Sequence, residues 1–436
     1  MYLLNTETYE LRSGLQPTFR QEGYAILSHR WVGQEITFDQ LKDETLGLRF
    51  STAPARTPQV DKICGAAQTA RDLGIKWIWI DSCCVDRANA VEQTESINSM
   101  FKWYRDAKVC IAYLSDVQKQ EPHNDVPTPE RFDSLERQGP SIWFSRGWTL
   151  QELLAPRNMR FYDKDWNFIG TKITQSHTLE RITGIDSHYL TGEKHFATAC
   201  IATKMSWMAG RTTTRIEDIA YSMLGIFNIT MATQYGEGIR AFMRLQETLL
   251  STSRDESLFA WRMPERDAGI RSIRDANQDI AWDSDEWGLL ALSPDWFKDS
   301  AHVTTEHPPD VERPLKSFEM TQGGIIAPIS KVYWSRLYQC LLIIGVTVPV
   351  GLVMLPFIGK SQVKRSKLDF ECPLRCRLRN ITGTQALVRI YLRPLSSGYK
   401  RIRACEFGRG DIPKNVRSSK WTERAIVFQP AIGYLD

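Results

Sequence analysis

Short apolar runs alternate with helix-like patterns over the first 170 residues of the chain. Each run is followed by polar residues, which is typical of a strand buried on both faces of a parallel sheet. The four runs are GYAILSHRW (23–31), KWIWID (76–81), KVCIAYLSD (108–116) and NMRFYD (158–163).

The segments between these runs carry apolar residues at helical spacing. One such face is formed by Val60, Ile63, Ala67 and Ala70, and a second by Ile97, Met100, Phe101 and Tyr104. Strand and helix in alternation predict right-handed crossovers and a parallel sheet. The sequence therefore predicts an open α/β domain.

The rest of the chain changes character twice. Residues 171–262 are mainly helical in pattern, and Thr214 with Glu217 three residues later predicts a capping box. A long polar stretch, 265–286, favours a linker or mobile loop, and the alternation beyond it is typical of β-strands. The predicted domains are 1–170 (α/β), 171–262 (helical extension), 263–310 (linker) and 311–436 (a smaller β-rich C-terminal domain).

One uncharged segment, LYQCLLIIGVTVPVGLVMLPFIG (337–359), is long enough to cross a bilayer. Gly345, Pro349, Gly351 and Pro356 interrupt it. This punctuation favours two short buried strands over a membrane helix, although membrane helices tolerate such residues. Membrane contact through this segment stays an alternative that is not favoured.

Composition and charge narrow the classes of function. The chain has 436 residues, 42% of them hydrophobic and 24% charged, which is typical of a folded protein. Lys and Arg number 55 against 51 Asp and Glu, and no basic cluster marks a helix face, so nucleic acid is not an expected partner. Nine scattered cysteines and an N-terminus without an apolar leader predict reduced thiols and a cytoplasmic protein.

Candidate site residues follow the predicted strands, because ligands bind beyond the carboxyl ends of the strands in open parallel sheets. Asp81 can instead cap its own loop, and Cys83 or Cys84 with His29 as base makes only a weak nucleophile pair. No GxGxxG loop, P-loop or metal-ligand spacing is present, so neither a dinucleotide fold of that type nor a metal site is expected. The candidates at the first two strand ends are Ser28, His29, Arg30, Trp31, Asp81 and Ser82.

The stretch SRGWTLQELLAP (145–156) places a carboxylate inside an otherwise apolar half-turn. A helix over 145–154 would put Ser145, Trp148, Thr149 and Glu152 on one face. If that face borders the strand ends, Glu152 can stabilise positive charge that develops nearby. The alternative is an ion pair with Arg146 or Arg157, which local spacing alone favours slightly.

Several motifs in order closely resemble the fungal heterokaryon-incompatibility (HET) domain. They are YAILSHRW, KWIWIDSCCVDRANAVEQTESINSMFKWYRDAKVCIAYLSDV and SIWFSRGWTLQELLAPRNMRFYDKDW, and they cover about residues 20–170. The segment that begins MSWMAGRTTTRIEDIAYSMLGIF resembles the stretch that follows this domain in many members. The C-terminal third carries no assignable motif.

The resemblance implies a role in the programmed cell death that follows fusion of unlike hyphae, a form of innate immunity. It also implies a fold like the Toll/interleukin-1 receptor (TIR) domain, a flavodoxin-like sheet. Many TIR domains cleave NAD at the nicotinamide–ribose bond with a glutamate in an S-x-x-W-C-x-x-E-L pattern. SRGWTLQEL is similar, with Thr149 where cysteine is usual.

By that correspondence Glu152 is the implied catalytic residue. NAD is then a substrate and no cofactor or metal is required. The insertion VGQEITFDQLKDETLGLRFSTAPAR departs from the compact TIR pattern, which weakens the correspondence in the loop after the first strand. The implied substrate-binding residues are Ser28, His29, Arg30, Trp31, Asp81, Ser82, Ser145 and Trp148.

Two hypotheses follow, and the sequence leaves enzymatic activity open. The first is a death effector that cleaves NAD. The second is a non-catalytic signalling module that self-associates and recruits partners, which would include an NLR-type or other incompatibility protein. Function depends on the site and not on the fold, so Glu152 discriminates between them.

Overall fold

The computed structural model describes most of the first 300 residues and shorter parts of the remainder. Contacts divide the chain into two compact units, Met1–Ala199 with Gly210–Leu245 and Cys200–Ala209 with Gln246–Asp436. The first unit therefore extends beyond the predicted boundary at residue 170. The described residues are 1–13, 22–42, 57–118, 132–136, 138–267, 287–305, 318–321, 324–329, 370–379, 385–394, 399–402, 408–410 and 423–427.

The first unit contains a seven-stranded sheet with the order β2-β1-β4-β3-β5-β6-β7. All four predicted strands belong to it. The strands are β1 (Tyr2–Asn5), β2 (Leu11–Ser13), β3 (Ala25–His29), β4 (Trp77–Trp79), β5 (Val109–Tyr113), β6 (Met159–Tyr162) and β7 (Phe168–Thr171).

The centre of this sheet is parallel, as predicted. β3 pairs in parallel with β4 and with β5, and β5 pairs in parallel with β6. β1, β2 and β7 add antiparallel edges. Along the chain the four parallel strands have the spatial order second, first, third, fourth, which begins the flavodoxin-type order. Strand order reverses between β3 and β5, and this is the switch point where such sheets bind ligands.

Two helices with well-formed N-caps cross over between the first three parallel strands. The Thr57 side chain accepts the N–H of Val60 at the start of one, with Pro58 in its first turn. Asn89 caps the other. The α-helices are α1 (Phe38–Lys42), α2 (Pro58–Asp72), α3 (Ala90–Asp106), α4 (Trp148–Leu154), α5 (Ser176–Thr183), α6 (Ser187–Thr191), α7 (Ile201–Ser206), α8 (Asp218–Tyr221), α9 (Leu224–Phe227) and α10 (Arg240–Thr252). Short 3-10 helices are Ile142–Ser145, Phe196–Thr198, Glu256–Phe259, Glu265–Asp267 and Pro294–Ser300.

The predicted helical faces pack as expected. All four predicted residues of α2 are buried, and in α3 Ile97, Phe101 and Tyr104 are buried while Met100 is half-buried. Tyr104 meets the ring of Trp79 edge-on, with centroids 5.9 Å apart. This packing holds α3 against the sheet and places the Tyr104 hydroxyl beside β3.

The predicted capping box at Thr214 does not form. Helix α8 begins only at Asp218, and the Glu217 side chain is used elsewhere. Its Oε1 accepts the backbone N–H groups of Gly236 and Gly238 at 2.8 and 3.0 Å. The carboxylate thus holds the YGEG turn, a longer-range partner that the four-residue pattern does not reveal.

The second unit contains a mostly antiparallel sheet with the order β8-β11-β12-β13-β15-β10-β9, with β14 paired to β12. This agrees with the predicted β-rich C-terminal region. Its strands are β8 (Val303–Thr305), β9 (Glu319–Thr321), β10 (Gly324–Ile329), β11 (Phe370–Arg379), β12 (Gln385–Pro394), β13 (Tyr399–Ile402), β14 (Gly408–Gly410) and β15 (Glu423–Val427).

Part of the segment interpreted as a linker, 263–310, belongs to the core of the second unit. Trp287 and Trp296 are almost fully buried, and their rings meet edge-on with centroids 5.3 Å apart. Trp261 packs against Trp296 with centroids 4.9 Å apart. The polar stretch 268–286 itself lies outside the described residues.

The uncharged segment 337–359 also lies outside the described residues. Within the part of the chain that is described, no helix combines the length and the apolar character needed to cross a membrane.

Candidate functional site at the switch point

Ser28 and His29 end strand β3, at the carboxyl edge of the sheet beside the switch point. Both side chains are buried, Ser28 fully. The 3-10 helix Ile142–Ser145 and helix α4 follow β5 in the chain and bring Glu152 to the same edge. Two polar clusters result, one around Glu152 and one around Asp81.

The Glu152 cluster joins three elements through hydroxyl groups. Ser28 Oγ donates to Glu152 Oε2 at 2.5 Å, and the indole N–H of Trp143 donates to Ser28 Oγ at 2.9 Å. The Tyr104 hydroxyl donates to the carbonyl of Leu27 at 2.9 Å and lies close enough to Glu152 to lower the pKa of its carboxyl. Sequence reasoning identified Ser28 and Glu152 but treated Tyr104 as core and did not select Trp143.

The local environment keeps the Glu152 carboxyl largely protonated at neutral pH. Burial raises its pKa to about 8, against the lowering effects of the Ser28 hydrogen bond and the nearby Arg146 charge. The described hydrogen-bond partner of the Glu152 side chain is Ser28, whereas Arg146 acts at longer range. Arg157 is exposed beyond the end of the helix. The ion-pair explanation for Glu152 is therefore replaced by hydroxyl hydrogen bonding.

Two buried cations brace helix α4, which carries Glu152. Arg211 Nη1 donates to the carbonyl of Arg146 at 3.0 Å and to Thr149 Oγ1 at 3.1 Å. At the other end Lys172 Nζ donates to the carbonyl of Leu153 at 3.0 Å and to that of Pro156. Cations at a helix C-terminus stabilise its free carbonyl groups. Neither brace was selected from the sequence, because both come from segments beyond residue 170.

The Asp81 cluster lies at the carboxyl ends of β3 and β4. His29 Nε2 and Asp81 Oδ1 are 3.0 Å apart, without the alignment of a hydrogen bond. The indole N–H of Trp31 donates to Asp81 Oδ2 at 2.9 Å. These contacts unite three of the predicted residues and join the ends of β3 and β4.

Electrostatics in this cluster favour an ionised Asp81. Burial raises the pKa of Asp81, but the attraction of His29, Arg87 and Arg146 outweighs it and holds that pKa below its usual range. Burial, with the positive charge of Lys62, lowers the pKa of His29. Asp81 is thus an ionised carboxylate at this sheet edge at neutral pH.

The remaining predicted residues lie nearby but make mostly structural contacts. Arg30 Nη1 reaches the carbonyl of Ile142 at 3.4 Å, and Ser145 Oγ donates to the same carbonyl at 2.8 Å. Trp148 is half-buried, and its side chain lies close enough to Asp218 to lower the pKa of that carboxyl. Ser82 is buried in the loop after β4.

The cysteine pair offers no activated thiol. Cys83 and Cys84 are both fully buried. A hydrogen bond with Cys84, together with burial, raises the pKa of Cys83 well above its ordinary value. A thiol nucleophile requires the opposite shift. Within the described ranges, no group of three or more His, Cys, Asp or Glu side chains is arranged to hold a metal ion.

Comparison with known proteins identifies two matching family models. Residues 24–139 match the model described as Heterokaryon incompatibility protein (HET), and residues 240–324 match a Domain of unknown function (DUF8212). The first match ends before Glu152.

One relative extends the similarity along the chain. The chain is 34% identical over 336 residues to the Vegetative incompatibility protein HET-E-1 of Podospora anserina. The alignment covers 74% of this chain and 22% of that protein. The chain thus spans much less than half the length of this relative. No solved structure matches the chain.

Proposed function

The chain contains a heterokaryon-incompatibility (HET) domain, and from this premise we propose that it acts in heterokaryon incompatibility as a cell-death effector that cleaves NAD at the nicotinamide–ribose bond. The first part of the proposal is supported by the family match and by the name of the relative from Podospora anserina. Because the chain covers 22% of that relative, the role of the longer protein comes to this chain as a proposal.

The enzymatic part depends on one observation, the contact between Ser28 and Glu152 at the switch point. A buried acid with a strongly shifted pKa at the ligand-binding edge of a parallel sheet is a candidate catalytic group. The pattern SRGWTLQEL, similar to the TIR glutamate motif, names the same residue. The flavodoxin-type strand order is compatible with a TIR-like fold for this unit.

The proposed reaction places few demands on the protein. The bond between ribose C1′ and the nicotinamide nitrogen breaks, both electrons leave with nicotinamide, and the positive ring becomes neutral. An ionised Glu152 stabilises the ribosyl cation that is left. Water then bonds to C1′ and releases a proton, giving ADP-ribose. Because the free carboxyl has a pKa of about 8, the cationic nicotinamide of bound NAD must help to ionise it.

A second candidate function has its own supporting observation. Glu152 is only 5% exposed and is already hydrogen-bonded by Ser28, as expected for a structural polar group. This favours the non-catalytic module that self-associates and recruits an NLR-type or other incompatibility partner. The two candidates differ in whether the carboxyl reacts.

The test is NAD consumption by the full-length protein, measured by chromatography of nicotinamide and ADP-ribose, in dilute solution and after forced oligomerisation. Glu152→Gln keeps the shape and a hydrogen-bond acceptor and is expected to abolish turnover. Glu193→Gln is the matched control, since Glu193 is an exposed carboxylate in the same unit. Equal turnover by parent and Glu152→Gln excludes Glu152 as catalyst. No turnover in any oligomeric state favours the signalling module.

A further inference from the structure

Two arginine side chains converge on the indole of Trp31 at the carboxyl edge of the sheet. The guanidinium carbon of Arg87 lies 4.2 Å from the ring centroid, and that of Arg146 lies 5.9 Å from it. Arg87 comes from the loop after β4, and Arg146 from the turn before α4. Three separate segments thus place two positive groups around one aromatic ring.

A hydrogen bond from its N–H group holds the Trp31 indole in place. Its N–H donates to Asp81 Oδ2 at 2.9 Å, and His29 Nε2 lies 3.0 Å from Asp81 Oδ1. Trp31 is half-buried, so part of the ring stays accessible. A fixed ring makes a rigid platform, and a guanidinium stacked on it keeps its N–H donors available at its rim.

Neither guanidinium has a close acceptor among the described residues. Arg87 Nη2 lies 4.0 Å from Asp81 Oδ2, too far for a hydrogen bond, and the Arg87 side chain is 45% exposed. The guanidinium of Arg146 acts on Glu152 and Asp81 only at longer range. Each guanidinium carries five N–H donors and no acceptor.

The balance of charge here is positive. Arg87, Arg146 and Arg215 act on two carboxylates, Asp81 and Asp218, while Glu152 is largely protonated at neutral pH, so cations outnumber anions by three to two. Planar guanidinium groups bind phosphate oxygens in pairs of parallel hydrogen bonds, which makes a phosphate-bearing ligand the best match. A diphosphate, with several acceptor oxygens on two centres, can engage both arginines at once.

We propose that Arg87 and Arg146, arranged around Trp31, form a subsite that binds the phosphate groups of a nucleotide. This rests on the proposed function in one respect: if the substrate is NAD, the diphosphate occupies this subsite. Arg146 lies within electrostatic range of both Asp81 and Glu152, so a diphosphate held there lies close to the Glu152 cluster. Arg30, at the end of the first parallel strand, is not part of this subsite; one of its N–H groups reaches the Ile142 carbonyl at 3.4 Å.

The test measures binding to the full-length protein by calorimetry, with ADP-ribose, inorganic diphosphate and adenosine as probes. ADP-ribose lacks the bond that the proposed reaction cleaves, so binding is measured without turnover. Arg87→Gln and Arg146→Gln are each expected to weaken ADP-ribose binding about tenfold, the loss of a charge-assisted pair of hydrogen bonds. Arg87→Lys should give an intermediate loss, because it keeps the charge but not the planar fork.

Arg105→Gln is the matched control, since Arg105 is a similarly exposed arginine on helix α3 that pairs with Asp106. It should bind ADP-ribose like the parent, and adenosine should not respond to any of these changes. Inorganic diphosphate that binds with the same dependence on Arg87 and Arg146 supports recognition of phosphate itself. ADP-ribose binding alone with that dependence supports recognition of a nucleotide.

Two results overturn the subsite: no binding of ADP-ribose or diphosphate by the parent, or equal affinities for the parent and both glutamine variants. These results are separable from failure of the proposed function. If the protein binds ADP-ribose through Arg87 and Arg146 but consumes no NAD, the subsite is supported and the proposed activity is excluded. If the protein consumes NAD but both glutamine variants bind ADP-ribose with the parent's affinity, the proposed activity is supported and the subsite is excluded.

Discussion

The hydroxyl of Ser28, at the end of β3, donates a hydrogen bond of 2.5 Å to the carboxyl of Glu152, 124 residues further along the chain. This contact joins the first parallel strand to the helix that follows the third. It lies beside the point where strand order reverses. The carboxyl with the raised pKa is therefore bonded to the edge at which sheets of this type bind ligands.

Replacing Ser28 should change the pH at which Glu152 ionises. The Ser28 hydrogen bond lowers the pKa of Glu152 against the effect of burial, so Ser28→Ala should raise that pKa further. If ionised Glu152 is the active form, the rising limb of the pH profile of kcat/KM should move to higher pH. An unchanged profile with normal activity would contradict the role of Glu152 as the ionising group.

Glu152→Gln should alter how stability depends on pH. Because the folded pKa of about 8 exceeds the ordinary 4.5, the folded state binds the extra proton between these values, and stability is lost as pH rises through this window. The glutamine variant lacks this loss, so the parent should lose stability relative to it by on the order of a few kcal/mol between pH 5 and pH 8. Urea unfolding of both proteins at several pH values measures this. Parallel stability curves would show that the carboxyl is ionised throughout.

Removing the Arg211 side chain should destabilise helix α4, which carries Glu152. Arg211→Met leaves the Arg146 carbonyl and the Thr149 hydroxyl without this buried donor, which should cost about 1–3 kcal/mol of unfolding free energy. Arg211→Lys should recover part of it, because a lysine supplies one donor at a time. Chemical denaturation gives the free energies. Equal stability of all three proteins would mean that the segment after residue 209 does not support α4.

A methyl group at Gly225 should separate two helices. A Cβ built there lies 2.0 Å from Cβ of Phe101, so α9 and α3 are in direct contact at this position. Gly225→Ala should destabilise the protein by about 1–3 kcal/mol through overpacking. Since Tyr104 lies one turn beyond Phe101 on α3, the hydrogen bond from Tyr104 to the Leu27 carbonyl should also weaken. Thermal unfolding tests the first effect, and an unchanged melting temperature would contradict it.

Much of the α/β unit was predictable because its signals are local. The apolar runs that become β3 to β6 are short and bounded by polar residues, and the faces of α2 and α3 repeat with helical spacing. The stretch from Ser145 to Glu152 was likewise informative by itself, since a charge inside an apolar half-turn requires a partner. The capping box predicted at Thr214 shows the limit of such patterns. It does not form, because the Glu217 carboxylate accepts backbone N–H groups of the YGEG turn instead.

The sequence alone thus determined the parallel strands and the helix faces, and it selected Glu152 as a candidate site residue. Only the tertiary structure decided which groups surround that acid. Tyr104, Trp143 and Arg211 meet at the site from three segments, and the crossover geometry of the sheet, which no local pattern encodes, brings them together. The tertiary structure also decided the protonation state of Glu152, because burial among these groups and the hydroxyl of Ser28 set its pKa.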